Sequence, residues 1–461
     1  MQIDIIETSS LGDRSYLASD GEVAVVVDPQ RDIDRVLRLL DDRGLRVSHV
    51  LETHVHNDYV SGAHEVRAAT GAELVLPARG GYAFAHRPAD EGDQVALGDL
   101  HLAALATPGH TPEHLAWQVT RDGASAPEAV FSGGSLLVGS AGRTDLLGAE
   151  HTALTRAQYE TLRRLAELPD DVRVLPTHGA GSFCVAAMPS TTPTSTIGDE
   201  RGRNLLLRAS DLADFTEELS GELMAYPTYY AAMAPINRAG ASVLGGLPQP
   251  PRLTPSDVED AMRRGVRVVD ARDRESFAAA HVPGSLNIEL NSGFAGYTGW
   301  MLPHDTPVLL VLPEPEDASL AEAMTQLLRI GWSRVAGYLA GGLDAWRALG
   351  GDVSSYDVVS PEDLCEVQQR GERPCVLDVR QELEWGWGTV PDSLLVFVAD
   401  VPGRLDELPR GEPVWVICSN GHRAAIAASV LDGAGVPVRC VASGGVGEWR
   451  VRCRSARPAR V

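Results

Sequence analysis

The chain repeats itself, and the repeat limits the fold more than any other feature. Val-Val-Asp-Ala-Arg at 268–272 returns as Val-Leu-Asp-Val-Arg at 376–380. An apolar strand is predicted after each, at 308–312 and 414–418. Gly341-Gly342 before Trp346 returns as Gly444-Gly445 before Trp449, the first glycine five positions ahead of the tryptophan both times. Strand and helix alternate over about a hundred residues in each copy, which predicts two small α/β domains with parallel sheets. The Gly246-Leu247-Pro248-Gln249-Pro250-Pro251 linker precedes the pair, and a loop-like junction at 350–357 divides it. These breaks place domains at 252–350 and 358–455 and leave 1–245 as a third, as the 461-residue length allows.

The hydrophobic share of 44% and charged share of 22% are those of a globular protein with real cores. Net charge is -23, and all basic charge is arginine, because the sequence has no lysine. That balance argues against nucleic acid or an anionic membrane as partner. No apolar run approaches membrane-spanning length, and the N-terminus lacks a basic stretch followed by an apolar one; the expectation is a cytoplasmic protein without signal peptide. The six cysteines contain no C-x-x-C pair, so neither a disulfide framework nor a thiolate zinc site is expected. Cysteine chemistry should then rest on one reactive thiol.

Residues 1–185 read as short strands (47–51, 74–76, 102–106, 129–132, 172–175) and helices, among them 32–43, which Gly44 stops. Residues 186–245 start as a Ser/Thr/Pro-rich loop and turn helical. Thr53-His54-Val55-His56-Asn57-Asp58 follows the first of those strands. If the segment stays extended, alternate side chains point one way, and His54 and His56 converge. Converging imidazoles are a usual set of ligands for zinc or iron. His110, in Thr107-Pro108-Gly109-His110, and His178, in Thr177-His178-Gly179, stand on further strand-end loops. His114 is read as a support for the ligands.

This set resembles the metallo-β-lactamase superfamily and, more narrowly, its persulfide dioxygenases and their glyoxalase II relatives. The resemblance rests on His54-x-His56-x-Asp58, on His110, on Gly142-Arg143-Thr144-Asp145 and on His178. The 195–202 and 233–238 stretches look like the helical region that closes the family's pocket. It implies an αββα sandwich and a metal held by His54, His56 and His110, with Asp58, His114, Asp145 and His178 as further ligands or supports. The chain departs from the family twice. Tyr59 stands where a histidine usually serves a second metal. Gly134, eight positions before Gly142, stands where the family carries a ligating aspartate. Three explanations remain open: a neutral three-histidine set holding one iron, a nearby acid such as Asp58 or Asp145 taking over, or a domain that binds metal poorly and is inactive. Fe2+ is the expected ion and Zn2+ the alternative, with one ion per site.

In the second repeat, Cys418-Ser419-Asn420-Gly421-His422-Arg423 lies between a strand (413–417) and a helix (424–431). Backbone N–H groups, the helix dipole and Arg423 all favour a thiolate at such a turn. The loop resembles that of rhodaneses, sulfurtransferases whose C-x-x-G-x-R loop cradles a cysteine persulfide. The resemblance gives Cys418 the nucleophile's role and has Arg423 and the amides of Ser419, Asn420, Gly421 and His422 hold an anionic donor. The family's G-H-I-P-G-A-like segment is replaced by Gly386-Trp387-Gly388-Thr389-Val390-Pro391. In the first repeat, aligning Pro307 with Pro413 sets Leu312 opposite Cys418 and Asp317 opposite Arg423. That copy is read as a structural spacer or docking domain, and Cys365, Cys375, Cys440 and Cys453 as packing residues.

The whole chain resembles the persulfide dioxygenase–rhodanese fusions of bacterial sulfide detoxification. The implied partners are a low-molecular-weight thiol persulfide and sulfite or thiosulfate; homo-oligomer formation is left open. The other readings are a rhodanese with a non-catalytic N-terminal domain and a zinc-dependent thioester hydrolase.

Overall fold

A computed structural model describes residues 1–186, 190–221 and 223–455. The chain forms two compact units, Met1–Leu247 with Leu327–Gly331 and Pro248–Gln326 with Trp332–Val461.

The first unit is an αββα sandwich, as the family resemblance implies. One six-stranded sheet runs in the order Gln2–Thr8, Asp13–Ser19, Val23–Val27, Arg46–Leu51, Glu73–Pro77, Arg87–Ala89. The other runs Ser195–Thr196, Arg173–Pro176, Ala129–Gly133, Leu115–Arg121, Leu100–Ala106, Gln94–Leu97. Period-two burial builds the layers. In Asp13–Ser19, Tyr16 and Ala18 face the layer between the sheets, with Val25, Leu51, Trp117 and Phe131, while Leu17 faces the outer layer. Helices Asp34–Arg43 and Ala63–Thr70 cover that outer face through Val36, Leu40 and Val66. Helices His151–Leu165, Ile197–Arg203 and Leu212–Gly221 cover the opposite face through Leu162, Leu165, Ile197 and Phe215.

The second unit holds the two repeats as two five-stranded parallel sheets. The first has the order Arg252–Leu253, Val335–Leu339, Val308–Val311, Arg267–Asp270, Leu286–Asn287. The second has Asp357–Val359, Val438–Val441, Val414–Ile417, Cys375–Asp378, Leu394–Leu395, the same order. Each copy opens with a capping box, Thr254 with Asp257 and Ser360 with Asp363. Asp270 pairs with Val311, and Asp378 with Ile417. The sheet register therefore sets Leu312 and Cys418 at equivalent strand ends, as the prolines do.

One cysteine expectation is corrected. Cys365 and Cys453 form a disulfide across a sequence separation of 88. They sit on Pro361–Gln369 and Val446–Ser455, helices that pack together, and spacing along the chain does not show that. Among the described residues no helix is long and apolar enough to cross a membrane.

Candidate metal centre and Cys418 loop

The His54-x-His56 segment is not extended. The strand ends at Leu51, and residues 52–60 form an irregular loop. What holds it is a set of side chains from elsewhere. Val55 N–H donates to Glu113, at 2.9 Å. Asn237 accepts from Ser61 N–H and donates to the carbonyls of His56 and Tyr59. Thr53 donates to Asp28 through both its backbone N–H and its hydroxyl, each at 2.7 Å.

The loop nonetheless brings imidazoles together. The ring of His54 lies 4.2 Å from His56, 4.9 Å from His110 and from His114, and 5.3 Å from His178, between centroids. Possible ligand atoms of His54, His56 and His178 lie within 4.8 Å of one another, and so do those of His110, His178 and Cys184. His178, a peripheral candidate in the sequence reading, is common to both triples. Asp58 meets it on the far side: His178 Nδ1 lies 2.9 Å from Asp13 and 3.2 Å from Asp58. His178 Nε2 faces His54 Nε2 at 3.3 Å.

Two candidates serve other partners. His114 is saturated, with Nδ1 bonded to the Thr107 hydroxyl and Nε2 accepting Gly134 N–H at 2.9 Å. Asp145 stays out of the cluster because its carboxylate takes both ends of the Arg143 guanidinium, at 2.6 and 2.7 Å. Arg143 also donates to the carbonyls of Phe183 and Met224, and its own carbonyl lies 2.8 Å from His110 Nδ1.

Gly134 is not a gap. A Cβ built there would stand 2.3 Å from His110 Cδ2, and one at Gly142 would stand 2.8 Å from His110 Cγ. The His110 ring lies flush against two glycines, in the space a larger residue at 134 would need.

Burial pushes His54 well below the usual histidine range, helped by the imidazoles around it, and takes His110 to about 3. Both are neutral and able to ligate. Burial would also lower His178, but Asp58 and Asp13 outweigh it and carry it to about 9. His56 is raised against burial by Asp28 and Glu52. Its Nε2 lies 2.8 Å from Glu52 and 3.0 Å from the Tyr59 hydroxyl. Asp28, Glu52 and Cys184 were not singled out from sequence: Glu52 stands in the histidine loop without a motif to mark it, and Asp28 and Cys184, like Asn237, reach the cluster through the fold.

The site fits a metal ion. His56 Nδ1 and His110 Nε2 are buried without a hydrogen-bond partner, and the Nε2 atoms of His54 and His178 have only each other. A cleft lined in part by His54, His56, His64, Tyr82, Phe84 and Asn237 opens beside the loop.

At the second site, Cys418 is fully buried. It follows the strand Val414–Ile417, and helix His422–Gly433 starts four residues on. Gly421 N–H donates to Cys418 Sγ at 3.1 Å. The free charge expected of Arg423 is absent. Its guanidinium is held by both oxygens of Glu384, with a further bond to the Ser419 hydroxyl at 2.9 Å. Burial works against the Arg423 charge, but the Glu384 carboxylate raises its pKa above the ordinary arginine value. Arg423 thus braces the loop. Arg380, paired with Asp378, donates to the carbonyls of Glu384 and Gly388 and fixes the divergent 386–391 segment.

Comparison with known proteins agrees with both architectures. The metallo-beta-lactamase superfamily model matches residues 13–178. A hydroxyacylglutathione hydrolase of Cereibacter sphaeroides is 30% identical over 288 residues, 60% of this chain and 96% of that protein. The chain belongs to the metallo-beta-lactamase superfamily. A rhodanese-like domain model matches 254–349 and again 360–452, so this member carries two such domains after its metallo-beta-lactamase domain. Another hydroxyacylglutathione hydrolase, of Methylobacillus flagellatus, is 32% identical over 207 residues, 44% of this chain and 77% of its own. Among solved structures, a metallo-beta-lactamase from Staphylococcus aureus subsp. aureus COL has a TM-score of 0.65 and 29% identity, covering 73% of this chain and 98% of its own.

Proposed function

We propose that this protein handles sulfane sulfur, with Cys418 as a sulfurtransferase nucleophile and the histidine cluster as a persulfide dioxygenase-like mononuclear centre. The observation that carries the reading is the Gly421 N–H aimed at Cys418 Sγ, at 3.1 Å, in a loop braced by Arg423 and Glu384. That N–H stabilises negative charge on sulfur, as thiolate or as terminal persulfide. The Cys418 thiolate attacks the outer sulfur of thiosulfate, the S–S bond breaks, and sulfite leaves with the electron pair. An acceptor nucleophile then takes that sulfur and returns Cys418 as thiolate.

In the N-terminal domain, His54, His56, His110 and His178 would hold one ion, Fe2+ in preference to Zn2+. When bound, iron would supply the redox chemistry for a thiol persulfide, dioxygen and water to give thiol, sulfite and two protons. The chain's own part is to keep His54 and His110 neutral, aim His56 through Glu52, and hold the 52–60 loop through Asn237. Sulfite from that reaction would be a sulfur acceptor for the Cys418 persulfide.

Two other readings have their own support. The hydroxyacylglutathione hydrolase relatives favour a zinc thioester hydrolase, against which Tyr59 and Gly134 remove two donors of a dinuclear site. The His110 ring against Gly134 favours a rhodanese whose N-terminal domain is not catalytic. Metal analysis of protein purified without added metal separates them. Iron at about one per chain supports the dioxygenase, zinc at about two the hydrolase, and neither metal the third. Oxygen uptake with a thiol persulfide is the activity test. Unchanged thiosulfate sulfurtransferase activity in Cys418→Ser would reject Cys418 as nucleophile.

A further inference from the structure

The first rhodanese-like domain has no thiol in its loop, yet it reaches the loop that does. Arg274 opens the short helix Arg274–Ala279 in that domain. Its guanidinium is aimed by Glu289, which accepts from Nε at 2.9 Å and from Nη2 at 2.6 Å. The remaining edge points into the neighbouring domain. There Nη1 donates to the Asn420 carbonyl at 2.8 Å and to the Ala442 carbonyl at 3.2 Å.

The Asn420 carbonyl belongs to the same peptide group as the Gly421 N–H. A trans peptide is planar, with C=O and N–H pointing opposite ways. Holding the carbonyl on the Arg274 side therefore turns the N–H toward the other side, where Cys418 Sγ accepts it at 3.1 Å. A positive charge on the carbonyl oxygen also polarises the group and strengthens the N–H as a donor. Gly421 is required by the same contact. Its φ is +89°, and a Cβ would lie 1.9 Å from the Ala442 oxygen and 2.6 Å from Arg274 Nη1.

We propose that Arg274, supplied by the domain without a nucleophile, is a positioning residue for Cys418, acting through the Asn420–Gly421 peptide. The proposal rests on Cys418 being the nucleophile, and it gives the first domain a part in the second domain's chemistry. Arg274 touches neither sulfur nor substrate in this arrangement. A planar fork that binds Glu289 on one edge and two carbonyls on the other suits the task, and a lysine could not do both.

The test is the pH profile of Cys418 alkylation by iodoacetamide, followed by mass spectrometry of the Cys418 peptide in the full chain. The groups around the sulfur are Arg423 with Glu384, Arg274 with Glu289, His422, Tyr297 and Cys440. His422 is lowered to about 4, chiefly by burial, Tyr297 is pushed by burial to about 12, and burial raises Cys440 as well. None of these three changes charge between pH 6 and 9.5, so a displaced profile reports a change at the sulfur itself.

Arg274→Gln should move the profile to higher pH and slow alkylation at pH 7 by about tenfold, the order expected for losing one charge-assisted contact. A profile superimposable on wild type, in protein that unfolds at the wild-type temperature, would overturn the proposal. If Arg274→Gln does not fold, Glu289→Ala decides. By charge alone, deleting a carboxylate near the sulfur favours the thiolate and moves the profile down. If Glu289 matters because it aims Arg274, the profile moves up, and a downward or absent shift overturns the proposal. Alkylation does not depend on sulfur transfer, so failure of Arg274 to matter is distinguishable from failure of Cys418 to transfer sulfur.

Discussion

The two rhodanese-like domains share one frame and differ in one loop. Both have the same strand order, a capping box at the first helix, and an aspartate–arginine pair after the inner strand. In the second copy, the strand end leads to Cys418 and a helix whose first turn carries His422 and Arg423. In the first, it leads to Leu312, and the helix begins with Glu316 and Asp317. Glu316 is occupied: one oxygen accepts Gly341 N–H at 2.6 Å, and the other lies 3.3 Å from Arg252. The acid that occupies the loop is itself a packing element, so the first copy keeps its stability without a thiol. The frame is common to both copies, and the chemistry-bearing side chains of the loop differ.

That contrast can be broken most severely at Cys418. Cys418→Ser should reduce sulfurtransferase activity by at least about a thousandfold, because the step needs a thiolate nucleophile; a cyanide–thiosulfate assay measures it. Next comes the brace. Arg423→Gln leaves Glu384 buried without its partner, which should cost about 3–5 kcal/mol of stability, visible as a lowered unfolding transition. Gly421→Ala comes third, at about 1–3 kcal/mol for a positive φ, with sulfur transfer lost further through the clash with the Ala442 carbonyl.

A pH test is smaller. Burial raises the Glu384 carboxyl, but Arg423 outweighs it and holds it below the ordinary 4.5. A depressed carboxylate contributes stability above its unfolded value and loses it as pH falls through the folded value. The unfolding temperature should therefore drop below pH 4.5 in wild type, and less steeply in Glu384→Gln. The smallest effect is a null. Leu312→Cys in a Cys418→Ser background should give no sulfur transfer, since the segment after it carries Glu314, Glu316 and Asp317 and has no arginine where the second copy has Arg423.

Much of this was legible in the sequence. The repeated Asp-x-Arg and Gly-Gly…Trp spacings predicted the paired α/β domains, and the Pro307/Pro413 alignment set Leu312 opposite Cys418 as the sheet register does. The histidines were visible because each stands in a motif. What stayed hidden lies across the fold. Glu384 follows Asp378 closely, yet nothing local says that its carboxylate closes on Arg423. Asn237 reaches the His56 carbonyl from 181 residues along the chain, and Cys184 comes near His110 and His178 through packing alone. The Cys365–Cys453 bond needed two helices to meet. The extended reading of 53–58 failed because the pull of Asn237, Asp28 and Glu113 on the loop outweighs strand propensity there.

The His110 ring between Gly134 and Gly142 constrains what a single substitution can do. Glycine and aspartate codons differ by a single base, so a carboxylate at 134 is one mutation away. With the imidazole settled into that space, an aspartate at 134 would collide with the candidate ligand His110 before it could ligate. An aspartate at 134 therefore needs the loop around His110 to shift as well, so that single substitution does not by itself complete a carboxylate-bearing site.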